Sequence, residues 1–362
     1  MTNVCSIGLG IPEYELSQED IKKLVGEIFE DLSPKQLARF LPVFDNTMIE
    51  KRHFAVDREW FKADHTFKEK NNLYHRYALR YSLSAIDDCL NNMDFLERAI
   101  PYEAVDMLIF ISSTGIATPS LDTYLFNERP FREDTVRMPL WGLGCAGGAI
   151  GLSRAFEWLC AHPEKNALVV CCELCSLTFQ RNDFRKSNLI GTALFGDGAA
   201  ASLILGDKSP YQEYSRGTKP KIKQTSSMTK KHSNSVMGWN VTNEGLEVIF
   251  SKSIPSLVRS FWKRHTDRFI GDINRNEINS FIAHPGGRKV LEAMEEVLGE
   301  PKIKFQHSYN VLQRYGNMSS ATVLFVLQNW LKHQAENEET GILSALGPGF
   351  SSELLLLEWK KE

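Results

Sequence analysis

The chain has 362 residues, 43% of them hydrophobic, enough apolar material for one large domain or two intimately joined halves. A formal net charge of −3 gives no electrostatic reason to expect nucleic acid as a partner. The opening Met1-Thr2-Asn3-Val4-Cys5 lacks a basic start, and no run of about 18 apolar residues occurs, so neither a signal peptide nor a membrane span is expected.

Residues 3–10 read as an apolar strand closed by Pro12, and Ser17 then caps a helix whose first turn carries Glu19 and Asp20. A further helix is expected over 32–44, a basic and apolar turn over 47–54, and loop with helix surface over 57–72. Leu79, Leu83, Ile86 and Leu90 recur at helical spacing within 74–90. Residues 105–111 are a nearly unbroken apolar run ending in Ser112-Ser113-Thr114-Gly115, as in a buried parallel strand. A helix over 121–127 leads to a proline-led segment and the glycine-framed Gly142-Leu143-Gly144-Cys145-Ala146-Gly147-Gly148, which opens a small-residue helix. A buried strand over 166–174, a short helix over 187–195, the turn Gly196-Asp197-Gly198 and a strand over 199–205 follow. From 207 to 235 the composition shifts to Lys, Ser, Thr, Gln, Pro and Gly. That stretch is predicted as a solvated connection between two halves, 1–216 and 217–362, and its lysines as a wet surface hairpin rather than a polyanion site.

The second half repeats the first. A strand over 278–283 ends in His284-Pro285-Gly286-Gly287, Gly316-Asn317 enters a helix over 318–331 in the place of Cys145 and its helix, and strands over 340–345 and 353–359 complete the unit. Two strand–helix units, each with a buried central helix, predict an α/β fold with a five-layer core, its chemistry located where the central helices begin.

The seven cysteines (5, 89, 145, 160, 171, 172 and 175) are odd in number and irregular in spacing, which predicts reduced thiols in a cytoplasmic protein. Cys172 and Cys175 spell C-x-x-C without a second pair, so no metal is expected. Cys145 is read as a nucleophile on the first turn of its helix, where amides and dipole favour a thiolate with a pKa of roughly 3.5–7.5. His284 follows a buried strand and precedes a glycine pair, and Asn317 stands where asparagine commonly caps a helix. A thiolate beside an imidazolium is an activated nucleophile, and donors from His284 and Asn317 can hold a thioester oxygen as charge develops on it. Donors that stabilise an enolate can drive decarboxylation of a malonyl thioester without a general base.

With Cys145 in its glycine frame, Gly196-Asp197-Gly198, His284-Pro285-Gly286-Gly287, Gly316-Asn317-Met318-Ser319-Ser320 and Gly347-Pro348-Gly349-Phe350, the chain resembles the type III polyketide synthases, the chalcone synthase family, over nearly its whole length. The resemblance implies a thiolase fold of two pseudo-repeated halves in an αβαβα core and a homodimer. It also implies Cys145–His284–Asn317 catalysis with acyl-CoA and malonyl-CoA as substrates and no cofactor, metal or carrier protein. Phe195 then matches a residue gating the CoA tunnel, and the second gating phenylalanine of plant members falls at the smaller Val248. Thr114, Cys175, Thr178 and Ser319 match cavity-lining positions, and Thr118 one that reaches the partner subunit. Of the basic residues that grip CoA phosphates in plant members, Arg39 fits one position while Pro42 and Asn46 occupy others, leaving Lys51, Arg52, Arg288 or Lys289 as substitutes. Leu346 replaces a phenylalanine usual before Gly-Pro-Gly. The substitutions resemble bacterial members that extend long fatty acyl starters to alkylpyrones or alkylresorcinols, and Val248 and Cys175 motivate that expectation here.

Two rivals are carried. A ketoacyl synthase of fatty-acid initiation shares the three residues but typically continues its histidine with Gln-Ala-Asn and requires malonyl on acyl carrier protein. A cysteine thioester hydrolase would release free acid and need no malonyl group.

Overall fold

The computed structural model describes residues 2–29, 35, 41–271, 273, 275–333 and 338–359. The helix expected over 32–44 lies largely outside this set, and within it Pro42–Asp45 form a single turn. In the first half the strands are β1 (Thr2–Gly10), β2 (Tyr14–Ser17), β3 (Lys51–Phe54), β4 (Met107–Ile111), β5 (Val136–Leu140), β6 (Asn166–Leu174) and β7 (Asp197–Gly206). The second half adds β8 (Lys221–Thr229), β9 (Met237–Thr242), β10 (Gly245–Phe250), β11 (Ile278–Ala283), β12 (Glu339–Gly347) and β13 (Ser351–Trp359). The helices that matter for the site are α1 (Gln18–Ile28), α2 (Phe67–Asn91), α3 (Gly147–Ala161), α4 (Lys186–Leu194), α5 (Arg288–Leu298), α6 (Gln306–Tyr315) and α7 (Thr322–Lys332).

The repeat expected from the sequence is written in the strand pairing. In the first half β4 runs parallel to β6, β6 antiparallel to β7, and β7 antiparallel to β1. In the second half β11 runs parallel to β12, β12 antiparallel to β13, and β13 antiparallel to β8. The two sheets join at a corner where Thr2 pairs with Ile222 and Asn3 with Lys221, giving the order β11-β12-β13-β8-β1-β7-β6-β4-β5. The solvated connection expected over 207–235 is therefore corrected: it contains β8, the strand that matches β1 and completes the second sheet. Its sequence reads as loop because buried Ile222 is followed by polar or partly exposed positions along the strand. The turn expected over 47–54 likewise ends in β3, paired with β2.

Between the sheets lie α3 and α7. Helix α3 touches β4 and β6 on one side and β12 and β13 on the other, while α7 touches β1 and β7 as well as β11 and β12. Helix α2, opened by a reciprocal cap between Thr66 and Glu69, covers the outer face of β1, β6 and β7. The helical segment 254–270 and α5 cover the second sheet around Trp262, Phe281, Leu291, Met294 and Phe350. This is the expected five-layer stack. A helix enclosed on all sides must be apolar all round, and α7 is, with every residue from Thr322 to Leu331 buried except Asn329. Each fully buried Leu, Val or Phe there contributes roughly 1.5–3 kcal/mol.

Close approach explains the small residues of α3. A Cβ on Gly148 would lie 2.4 Å from the backbone oxygen of Ser320, and one on Gly147 2.6 Å from Ile111 Cγ2 and 2.9 Å from Ser320 Cβ. The starts of the two central helices are thereby pressed together, which brings Cys145 to Asn317.

Candidate active site

Cys145 occupies a 3₁₀ turn, Gly144–Ala146, that leads into α3. Gly144 has φ +47°, and a Cβ there would meet Pro348 at 2.7 Å, so the Gly-Pro-Gly loop is a brace for the cysteine turn. Opposite stands Asn317, between α6 and the 3₁₀ turn Ser319–Ala321 that opens α7. Its backbone is tied to the end of α4: Asn317 N–H donates to Leu194 O at 2.9 Å, and Gly196 N–H donates to Asn317 O at 3.0 Å. Ser319, held at φ +47°, donates its N–H to Asn317 Oδ1 at 2.9 Å. That bond fixes which end of the carboxamide accepts, and leaves Nδ2 as a donor, 3.5 Å from Gly286 O. Left-handed backbone at a serine is strained, and strain of this kind is retained at functional sites.

Cys145 Sγ donates to Asn317 Oδ1 at 3.9 Å and to Ser319 Oγ at 3.7 Å. His284 leaves β11 with its N–H on Ser344 O at 2.7 Å and is 3% exposed. Neither ring nitrogen has a hydrogen-bond partner. Cys145, His284 and Asn317 line one cavity of about 30 Å³ with Met237, Phe250, Ile254, Gly286, Val290 and Leu346. Buried polar atoms are nearly always satisfied, so a histidine that lines such a space with both ring nitrogens unpartnered is a receptacle for a ligand's polar atoms.

The charge states differ from the expectation of a thiolate–imidazolium pair. Burial, reinforced by the nearby Glu173 carboxylate, pushes the Cys145 thiol up to about 11, against the lowering by Ser319 and Asn317. Burial alone takes His284 down to about 3. Cys145 is half-buried, and where its sulfur meets protein atoms the loss of water outweighs what the helix start supplies. Both shifts run toward the neutral thiol and the neutral imidazole.

Glu173, absent from the candidates drawn from the sequence, lies behind the cysteine. Burial raises its carboxyl to about 7, although it accepts hydrogen bonds from Ser113 N–H at 2.9 Å, Thr114 Oγ1 at 3.0 Å and Ser320 Oγ at 2.6 Å. One acid in the apolar run Leu168-Val169-Val170-Cys171-Cys172-Glu173-Leu174 was the available signal. Thr114 is thus engaged behind the cavity, also accepting from Leu174 N–H at 2.9 Å.

A second cavity, of about 50 Å³, adjoins the first. It is lined by Cys175, Thr178, Phe195 and Val248 and extends along α1 past Ile21, Leu24, Val25 and Ile28 to Phe61 and Phe179. Its polar residues are satisfied within the protein: Thr178 Oγ1 donates to Cys175 O at 2.7 Å, Thr192 Oγ1 to Asn188 O at 2.8 Å, Asn188 Nδ2 to Gln180 O at 2.8 Å, and Ser176 Oγ to the Asp197 carboxylate. The wall between the cavities is aromatic. Phe195 stacks on Phe250 with ring centroids 5.6 Å apart, and Phe250 lines the catalytic side. Val248 lines this second cavity, while Phe250, two residues on along β10, supplies the ring that faces Phe195.

The remaining candidates lie apart. Thr118 is exposed on a loop before a cis Pro119. Lys289 is exposed on the first turn of α5, just past the His284 loop. Arg39 lies outside the described residues. Of the proposed substitutes for the phosphate grip, Arg52 is 1% exposed and Lys51 and Arg288 pair with Glu15 and Glu292 at 2.8 and 2.6 Å.

Comparison with known proteins matches the same outline. The family model "Chalcone and stilbene synthases, N-terminal domain" covers residues 1–208, and its C-terminal counterpart covers 222–359. The chain is 45% identical to the "Putative chalcone synthase" of Bacillus subtilis (strain 168), with 100% of both chains aligned. It is 32% identical to the 1,3,6,8-tetrahydroxynaphthalene synthase of Streptomyces peucetius over 99% of this chain and 93% of that one. The crystal structure of 1,3,6,8-tetrahydroxynaphthalene synthase from Streptomyces coelicolor A3(2), a bacterial type III polyketide synthase, superposes with a TM-score of 0.90 at 28% identity, covering 99% of this chain and 100% of the other. With its thiolase fold and both family domains in order, the chain belongs to the chalcone and stilbene synthase family, the malonyl-CoA-condensing type III polyketide synthases.

Proposed function

We propose that the protein loads a long-chain fatty acyl group from acyl-CoA onto Cys145, extends it with malonyl-CoA and cyclises the product to an alkylpyrone or alkylresorcinol. The sulfur gives its proton to His284 and attacks the acyl carbonyl, and CoA leaves as the thiol, taking that proton. Malonyl-CoA then breaks its bond to the carboxylate carbon and releases CO2. The electron pair left behind forms an enolate held by donors from His284 and Asn317, and the enolate carbon attacks the Cys145 thioester. The thioester C–S bond breaks, so that the sulfur leaves as a thiolate and the lengthened acyl group stands on CoA, from which the thiolate takes it again in the next round. Repetition lengthens the chain until an internal oxygen or carbon closes the ring. No cofactor enters these steps.

The observation that carries the long-chain reading is the apolar lining along α1, whose side chains are hydrocarbon or have their polar atoms bonded within the protein; at about 50 Å³ the cavity must open further to take the chain. An acyl chain passing the Phe195–Phe250 wall would lie among Leu16, Leu24, Ile28 and Phe179. One relative, 28% identical, is named for alpha-pyrone synthesis. Lys289, beside the His284 loop, is assigned to the CoA phosphates, with Arg39 as the family position. A homodimer is supported by edge strand β5 and its neighbourhood, where Val136, Trp141 and Ile116 are 44%, 56% and 43% exposed, with Thr118 on the adjoining loop. The free cysteines fit the cytoplasm, where CoA thioesters are made. The matched pairing patterns support a division into 1–216 and 217–362.

Incubation with malonyl-CoA and starters of two to eighteen carbons, read as product mass, tests the reading. Long-chain pyrones or resorcinols are expected. Preference for short or aromatic starters, or product from malonyl-CoA alone, would overturn it.

A further inference from the structure

Arg52 in β3 sits fully inside the protein, 1% exposed. Its Nη1 donates to the carbonyl oxygens of Thr192 at 2.7 Å and Phe195 at 2.6 Å, and its Nη2 to Gln18 Oε1 at 2.8 Å. Among the described residues no carboxylate bonds to it. The nearby Asp197 carboxylate spends its oxygens on Ala55 N–H, Ser176 N–H and Ser176 Oγ. A charge so placed costs several kcal/mol of desolvation, and an apolar residue of similar size is often as stable or more so. Stability alone is a poor reason for it.

Geometry offers a better one. The carbonyl that Arg52 grips is that of the 195–196 peptide, whose Gly196 N–H donates to Asn317 O, and the preceding peptide supplies Leu194 O, which accepts from Asn317 N–H. From below, the stem of Arg52 packs against the residue before Asn317. A Cβ on Gly316, whose φ is +69°, would lie 2.7 Å from Arg52 Cδ. A planar guanidinium holds two carbonyls through Nη1 and Gln18 through Nη2 in one fixed fork, a geometry that the compact ammonium of a lysine does not reproduce. We infer that Arg52 is a positioning residue: it locks the 194–196 segment against residues 316–317, and so holds the Asn317 carboxamide where the thioester oxygen must be met. Helix α1 is tied into the same clamp through Gln18, whose Nε2 donates to Ala193 O at 2.9 Å.

The inference rests on the assignment of Asn317 to malonyl-CoA decarboxylation, and the test separates the two. Two half-reactions are measured for Arg52→Lys, Arg52→Met and Asn317→Ala. One is transfer of an accepted acyl group from CoA to Cys145, read by intact mass, which also counts competent sites. The other is conversion of malonyl-CoA to acetyl-CoA and CO2, in which the C–C bond breaks and the enolate carbon takes up one proton, read by chromatography per competent site. Asn317→Ala sets the pattern, with decarboxylation lost far more than acyl transfer. If it does not, the assignment of Asn317 fails. Arg52→Lys is expected to reproduce the split, with decarboxylation down about tenfold or more and acyl transfer within about twofold, because small misplacements are costly. Equal loss of both rates, or loss of neither, would overturn the role of Arg52. Should the Arg52→Met protein fail to fold, Gly316→Ala, which drives a methyl into the arginine stem, must show the same split.

Discussion

The two adjoining cavities are built on opposite principles. The catalytic one takes its groups from both halves of the chain, Cys145 from the first and His284 and Asn317 from the second, and faces them with two unsatisfied ring nitrogens. The apolar one is drawn from the first half apart from Val248, and its polar groups are bonded within the protein. Polar geometry that must be exact within tenths of an ångström is anchored on the paired central helices. Hydrocarbon that needs only to exclude water is left to α1, α4 and side chains that can vary.

That division is open to attack at both cavities. Replacing Cys145 with alanine removes the acyl carrier, and product formation, followed by mass spectrometry, is expected to fall by about 10³-fold or more. His284→Ala or Asn317→Ala each removes one donor and should cost about 10²–10³ in the decarboxylation rate. If either variant changed the starter range without slowing the reaction, the two cavities would not have separate tasks. On the other side, Leu24→Trp fills the apolar cavity. We expect kcat/KM for long starters to drop about ten- to a hundredfold while two-carbon starters are spared. Equal loss for both lengths would mean that α1 supports the site rather than the chain.

The charge state sharpens the contrast further. With the thiol pushed up to about 11 and His284 down to about 3, Cys145 is protonated at neutral pH. Iodoacetamide capture by the free enzyme should therefore climb about tenfold per pH unit from 7 to 10, following the thiolate fraction. A plateau already present at pH 6 would instead mark a standing thiolate–imidazolium pair. The mildest change is Phe250→Ala, which removes one ring of the wall. A shift of about threefold to tenfold in favour of longer starters is expected in the chain-length profile.

Much of the site was legible in the chain itself because its signals are local. Glycines around Cys145, an apolar strand running into His284 and a glycine–asparagine step before a helix each announce themselves within a few residues. Strand β8 did not, since its polar positions look like a loop until β13 lies beside it. Phe250 and Arg52 escaped for a related reason. Phe250 matters because a ring from α4's end stacks on it, and Arg52 because two distant carbonyls turn toward it. Nothing within five residues of either shows that.

By itself the sequence determined the repeated strand–helix order, the buried central helices and the three side chains proposed to react, because periodicity and glycine placement act over short stretches. The tertiary structure decided whether the thiol is charged, which aromatic pair divides the cavities and what a buried guanidinium holds in place. Those are properties of water excluded and atoms opposed across hundreds of residues, so they exist once the two halves close on each other.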